Sequence, residues 1–150
     1  MPKDFSFAKI YTIRNRNNPD DVYVGSTTQS YLCQRMASHM QSFREGRKCL
    51  LYQRMHDTDI SDWYIELYEA YPCNSIDELL KREGEVIRQI ATLNKNIAGR
   101  TDREWYIDNK DILVEKKKNY YKNNRERRLA YQNDYNRKKR ECLNNEEIIN

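Results

Sequence analysis

Two β-prone runs separated by a polar, turn-rich stretch fix how this chain must begin. The first run is Phe7-Ala8-Lys9-Ile10-Tyr11-Thr12-Ile13 and the second is centred on Tyr23-Val24-Gly25. Between them, Arg14 to Asp21 is rich in Asn and holds Pro19. Asn and Asp bond their own backbone and Pro presets φ, so the stretch favours a turn, and the two runs predict a hairpin. Tyr11 and Tyr23 then fall on paired strands. Ser30 to Arg47 reads as a helix, with Leu32, Met36, Met40 and Phe43 at three- and four-residue spacing toward the core. Arg35 and His39 form an i,i+4 pair. They lie about 100° around the helix from that stripe, able to border a cleft while the helix stays anchored.

Residues 49–56 predict a second, short helix. Trp63 to Tyr71 alternates, with Trp63, Ile65 and Leu67 on one face and Tyr64, Glu66 and Tyr68 on the other. That pattern predicts a half-buried third strand, closed by Pro72. Ser75-Ile76-Asp77-Glu78 fits a capping box opening another helix. Its apolar stripe is Ile76, Leu80, Ile87 and Ile90, flanked by Leu79, and Glu83 falls on the same stripe while Glu85 points elsewhere. A carboxylate on a packing face is costly unless a cation, a metal or an edge position relieves it. Glu83 is singled out on that ground alone.

These residues resemble the GIY-YIG nuclease domain over roughly residues 7 to 97. The first motif stands as Lys9-Ile10-Tyr11, with lysine for the leading glycine, and the second as Tyr23-Val24-Gly25. The family's helical arginine and histidine match Arg35 and His39, its metal-binding glutamate matches Glu83, and its closing asparagine matches Asn94 in Leu93-Asn94-Lys95. The resemblance implies a catalytic set of Tyr11, Tyr23, Arg35, His39, Glu83 and Asn94. Glu83 would bind one Mg²⁺ (or Mn²⁺), since a single carboxylate plus waters and a phosphate oxygen suits such an ion. Arg35 would pair with the scissile phosphate. Tyr11 would act as general base or orient the water, with nearby cations needed to lower a pKa that is ordinarily near 10. His39 and Tyr23 would support that network, and Asn94 would hold the substrate or the site in place. Gly25 would let the backbone approach where a side chain would block it. Lys9 either points away from the site or crowds and tunes Tyr11. Singly, each residue has a plainer reading: strand packing for the tyrosines, a solvated charge for Arg35, a surface or core histidine for His39. Likewise Asn94 reads as a turn residue and Glu83 as a salt-bridge partner. Their joint occurrence in family order favours the nuclease.

The charge is unevenly placed. Residues 1–97 hold 13 Lys/Arg and 13 Asp/Glu, whereas 98–150 hold 14 and 10, the whole net excess of +4. Within 116–140 there are 11 basic residues against 2 acidic. From Thr101 onward there is neither Gly nor Pro, and a weak 15-residue repeat aligns Trp105–Asp111 with Tyr120–Glu126, with Tyr120 recurring as Tyr135. This segment reads as one long polar helix with a thin stripe of Leu113, Tyr120, Tyr131 and Tyr135. Lys/Arg interleaved with Tyr and Asn suits phosphate contacts and base stacking. The nucleic-acid candidates are Lys116, Lys117, Lys118, Lys122, Arg125, Arg127, Arg128, Arg137, Lys138, Lys139 and Arg140. A solvated helix and self-association through the Tyr stripe are the alternatives.

The expectation is therefore an α/β (α+β) fold: a small antiparallel three-stranded sheet flanked by helices, with a C-terminal helical extension. Residues 1–97 form the nuclease domain and 98–150 the basic extension. The expected function is Mg²⁺-dependent cleavage of DNA, with no obligate small-molecule cofactor; the rivals are a catalytically silent nucleic-acid-binding module and a structural helical protein. Cys33, Cys49, Cys73 and Cys142 include no Cys-x-x-Cys pair, so free thiols in a reducing compartment are expected. With no signal peptide and no membrane-spanning run, a soluble intracellular protein is expected.

Overall fold

The computed structural model describes residues 4–148, and the side chains of residues 4–142. The chain divides into two units, Met1–Thr101 and Asp102–Asn150.

The first unit is built on three antiparallel strands, β1 (Lys9–Asn15), β2 (Val22–Thr27) and β3 (Trp63–Ala70), in the order β2-β1-β3. The hairpin places Tyr11 opposite Gly25 and Ile13 opposite Tyr23. Asn15 sets its turn by accepting the N–H groups of Asn17 and Asn18 at 2.8 and 3.1 Å, the side-chain turn that short polar residues favour. Because successive strand residues point to opposite faces, β1 feeds two cores. Ala8 and Ile10 join Val22, Val24, Leu79, Val86 and Ile87 in one. Tyr11 and Ile13 join Leu51, Tyr52, Met55, Trp63 and Leu93 in the other. Helices α1 (Leu32–Arg44) and α2 (Leu50–His56) supply the second core, and α3 (Ile76–Ile90) supplies the first.

Three local expectations are corrected. Trp63, Ile65 and Leu67 keep one face, opposite Asn15, Ile13 and Tyr11, but Leu67 is 54% exposed rather than buried on it. The pairing of β1 with β3 slips just beyond, between Tyr11, opposite Leu67, and Ile10, opposite Glu69, with Tyr68 as the extra residue. On α1 the expected stripe holds: Leu32, Met36, Met40 and Phe43 are half-buried and packed against the second core, and His39 beside them is fully buried. On α3 the buried positions are Leu79, Gly84, Val86 and Ile87, and Ile76 is exposed. Gly84 explains that face: the Ala98 carbonyl occupies the space a Cβ would need. The capping box is also half as drawn. Ser75 Oγ accepts the Glu78 N–H at 3.3 Å, while the Glu78 carboxylate takes the Asn74 N–H rather than that of Ser75.

The open edge of β2 is covered by the segment after α3. Thr92 and Leu93 donate their N–H groups to the Val22 carbonyl, and Thr92 Oγ1 accepts the Val22 N–H. Helix α2 is tied to the same strand by Arg54, whose Nε lies 3.1 and 2.9 Å from the two oxygens of buried Asp21.

The second unit is helical: α4 (Asp102–Asn123) and α5 (Arg125–Ile148). One long helix was expected; instead two helices meet at Asn124, whose N–H still bonds the Tyr120 carbonyl and whose carbonyl accepts the Arg128 N–H, both at 3.0 Å. The Asn124 side chain also bonds the Tyr120 carbonyl at 2.8 Å, and Asn109 does the same to Trp105, one repeat earlier, within uninterrupted α4. All eleven basic residues of 116–140 are exposed. Lys117 and Arg128 flank the Tyr121 ring, and Arg137 and Lys138 share Asp134. The expected stripe is not a packing face: Tyr120, Tyr131 and Tyr135 are all exposed. The four cysteines are unpaired, and no helix among the described residues is long and apolar enough to cross a membrane.

Candidate active site

The hairpin register decides the centre of the site. With Gly25 opposite Tyr11, the phenol ring lies across the glycine; a Cβ there would overlap its hydroxyl and its ring edge. The close approach permitted by Gly25 is thus that of Tyr11 itself. From α1, Arg35 Nε donates to the Tyr11 hydroxyl at 2.8 Å. One turn on, His39 Nε2 lies 2.8 Å from the same oxygen. His39 Nδ1 lies 3.0 Å from the hydroxyl of Tyr52 on α2. The imidazole is enclosed by aromatic edges, with Tyr11, Tyr23 and Tyr52 rings at 5.9, 5.5 and 6.1 Å, the edge-to-face geometry that aromatic rings prefer.

Burial governs the protonation of this network. It raises the Tyr11 pKa to about 12, outweighing the opposing pull of Arg35, and it raises that of Tyr23 as well. It depresses His39 to about 4, helped by the Arg35 charge. At neutral pH the site therefore holds two protonated phenols, a neutral imidazole and a guanidinium. The phenolate anticipated from nearby cations is not the resting form, because desolvation outweighs the single arginine.

Glu83 approaches from α3. It sits at the i+4 and i−4 positions of buried Leu79 and Ile87, and burial raises its pKa. Ser26 Oγ on β2 donates to Glu83 Oε2 at 2.5 Å. Among the described residues no cation pairs with Glu83, while neighbouring Glu85 pairs with Arg82 at 2.9 Å. No cluster of three His, Cys, Asp or Glu side chains gathers there to cage an ion. A half-buried carboxylate with one neutral donor fits a hard divalent cation completed by water and phosphate oxygens. Glu83, Tyr23 and Asn94 line one open pocket of about 300 Å³, together with Cys49, Leu50 and residues 95–98.

Asn94 is bonded to the backbone of β2. Its Oδ1 accepts the Val24 N–H and its Nδ2 donates to the Val24 carbonyl, both at 2.8 Å. The side chain thus acts as one more rung on the open edge of β2, the strand that presents Tyr23, Gly25 and Ser26. Lys9, in place of the motif's glycine, sends its Nζ to the Ser30 carbonyl at 2.8 Å, before α1, and not to Tyr11.

The structure therefore brings Tyr11, Tyr23, Arg35 and His39 into one network and sets Glu83 and Asn94 beside it. The eleven basic candidates from Lys116 to Arg140 belong to the other unit. Ser26 and Tyr52 were not anticipated. Tyr52 carried one faint signal, a phenol on the apolar stripe of Leu51 and Met55.

The family model of the GIY-YIG catalytic domain matches residues 7–98. The chain belongs to the GIY-YIG family. This is a nuclease family, so the domain is that of a phosphodiester-cleaving enzyme. Among solved structures, the catalytic domain of the homing endonuclease I-TevI matches at 24% identity and a TM-score of 0.46, covering 55% of this chain and 87% of that one. No curated protein matches.

Proposed function

We propose that this GIY-YIG protein is a divalent-metal-dependent DNA endonuclease in which residues 1–97 supply the chemistry and residues 98–150 a basic DNA-binding arm. The observation that carries the catalytic half is the convergence of Arg35 and His39 on one buried phenol. Arg35 uses Nε on Tyr11 and turns its remaining N–H donors to the scissile phosphate, where its planar fork suits two oxygens. Tyr11 is 0% exposed in the free protein, so the attacking water reaches it with the substrate. When that water attacks phosphorus, its proton passes to the Tyr11 oxygen as the phenolic proton moves to His39 Nε2. No free phenolate then has to accumulate at neutral pH. Tyr23 walls the imidazole and borders the pocket, and Asn94 keeps β2 in register. Glu83 would hold Mg²⁺ or Mn²⁺, which when bound supplies charge neutralisation at the phosphoryl and leaving oxygens. No obligate small-molecule cofactor enters this scheme.

The arm reading rests on charge and its distribution. Lys116, Lys117 and Lys118 alone sweep about 200° of the helix surface at 100° per residue, so the basic side chains encircle the axis rather than forming one face. That suits a helix lying between the two phosphate walls of a major groove, which admits an α-helix.

The test is nicking of supercoiled plasmid with and without Mg²⁺ by the wild type, Glu83→Ala and Glu85→Ala. Metal-dependent cutting, lost in Glu83→Ala with DNA binding retained and kept in Glu85→Ala, is the expected result. Equal loss in both variants, or wild-type cutting by Glu83→Ala, defeats the assignment of Glu83. Binding without cleavage under any divalent ion makes the protein a silent DNA-binding module.

A further inference from the structure

We infer that Tyr52 is a positioning residue of the nuclease site: its hydroxyl holds His39 in the Nδ1–H tautomer, leaving Nε2 free to take the proton of Tyr11. The inference rests on the reading of Tyr11 as the group that exchanges a proton with the attacking water.

It follows from counting donors and acceptors. Arg35 has only donors, so at 2.8 Å its Nε–H must point at the Tyr11 oxygen. The phenolic hydrogen of Tyr11 must then go elsewhere. Tyr11 is wholly buried, so bulk water does not reach it, and His39 Nε2 is its one remaining partner among the described residues. A neutral imidazole has one donor and one acceptor nitrogen. If Nε2 accepts, Nδ1 carries the hydrogen and donates it to the Tyr52 oxygen at 3.0 Å. The chain of bonds has a single direction: Arg35 to Tyr11 to His39 to Tyr52.

Tyr52 is suited to this role by its setting. It is 8% exposed and packed between Leu51 and Met55 of the same core. Its helix is pinned to β2 by Arg54 and Asp21, so the phenol and the hairpin move together. Phe43 meets the Tyr52 ring edge-on at 6.4 Å, which further limits its orientation. During the reaction the second proton on His39 sits at Nε2, and the Nδ1–H bond to Tyr52 stabilises the transient imidazolium. The water oxygen forms a bond to phosphorus as the bond from phosphorus to the leaving oxygen breaks; one proton leaves water for Tyr11, one leaves Tyr11 for His39, and the leaving alkoxide takes a proton from solvent, so the step balances.

The experiment combines a structural and a kinetic readout on the full-length chain. Ring ¹⁵N chemical shifts of His39 at neutral pH report its tautomer without requiring any activity. The expected pattern is Nδ1 protonated and Nε2 bare in the wild type. In Tyr52→Phe, which keeps the ring and its packing, the tautomer shifts toward Nε2–H. The single-turnover cleavage rate then falls by about tenfold or more, at unchanged DNA affinity and unchanged melting temperature to within a few degrees. An Nε2–H pattern in the wild type overturns the inference even if Tyr52→Phe is slow. A normal tautomer and normal rate in Tyr52→Phe overturn it as well. A wild type with the Nδ1–H pattern but no cleavage of any DNA instead defeats the nuclease reading and leaves the tautomer assignment standing.

Discussion

Gly25→Ala is the sharpest test of how this site is assembled. The added methyl would lie 2.6 Å from Tyr11 Cζ and 3.1 Å from Cε2, and nearer still to the hydroxyl. Carbon atoms in contact rest at about 3.5–4.0 Å, so the ring must withdraw by about 1 Å. Tyr11 is wholly buried against Ile13, Leu51 and Tyr52, and overpacking of this kind costs about 1–3 kcal/mol. For a domain of this size each kcal/mol lowers the melting temperature by about 4–8 °C. The chemical effect should be larger. A shift of about 1 Å takes the bonds from Tyr11 to Arg35 and His39 from 2.8 Å beyond hydrogen-bonding reach. Misplacement on that scale costs about a hundredfold in rate, on the order of 2.7 kcal/mol at the transition state. The assay is single-turnover cleavage at saturating protein and Mg²⁺, run well below the melting temperature measured for each variant. A folded Gly25→Ala protein that cleaves at the wild-type rate would refute the proposal that Tyr11 works from its place over residue 25.

Four further outcomes are expected. Tyr11→Phe and Arg35→Ala should each slow single-turnover cleavage at least about a hundredfold with stability little changed; normal cutting by Tyr11→Phe removes the hydroxyl from the mechanism. Asn94→Ala strands the N–H and C=O of buried Val24, and should destabilise the fold by about 2–4 kcal/mol in urea melts, whereas a pure substrate contact would leave stability intact. His39 falls from 6.5 unfolded to about 4 folded, so stability is full above pH 6.5 and declines as pH drops toward 4, by up to about 3 kcal/mol. His39→Gln should flatten that decline, and parallel pH profiles for the two proteins would refute it. If four of the eleven basic residues between 116 and 140 touch phosphate, removing everything after about residue 99 should reduce the slope of log K against log salt by about 3 to 4; indistinguishable slopes would make the arm a solvated or self-associating helix.

What the sequence revealed and what it concealed divide along the range of the interactions. The hairpin was legible because strand propensity and Asn-rich turn chemistry are local, and the i,i+4 spacing of Arg35 and His39 needs only helical geometry. Glu83 stood out because a carboxylate on an apolar stripe is anomalous within a single helix. Tertiary pairings were hidden. Nothing near Tyr52 in sequence hints at an imidazole thirteen residues earlier, and Ser26 looks like any strand hydroxyl until α3 brings Glu83 to it. The β3 bulge was invisible for the same reason: it falls at Tyr68, beyond the alternating Trp63, Ile65 and Leu67, and shows only in the register against Ile10 and Tyr11. Asn94 could be read as a turn residue or as a group holding the substrate or the site, but its partner, the backbone of a strand seventy residues away, was hidden. The interruption at Asn124 was not legible, since Asn109 bonds back onto its helix in the same way without interrupting it.

The electrostatics of the site bear on why a basic arm follows it. Arg35 opposes the rise that burial imposes on the Glu83 carboxyl; His39 is held neutral and both tyrosines stay protonated. With Glu83 ionised, the candidate site groups sum to zero, as does the rest of residues 1–97. A neutral cleft gives a polyanion no long-range attraction, and the short Debye length at physiological salt, about 8 Å, leaves a single arginine little reach. Making the cleft itself basic would draw DNA in, but at the expense of the buried network: another cation near His39 would depress its pKa further, weakening it as a proton acceptor, and one near Glu83 would compete with the divalent ion. A segment separate in sequence avoids both conflicts. On this reasoning the excess charge belongs beyond residue 97, where Lys and Arg can be added to strengthen phosphate binding without shifting the protons on which Tyr11 and His39 depend.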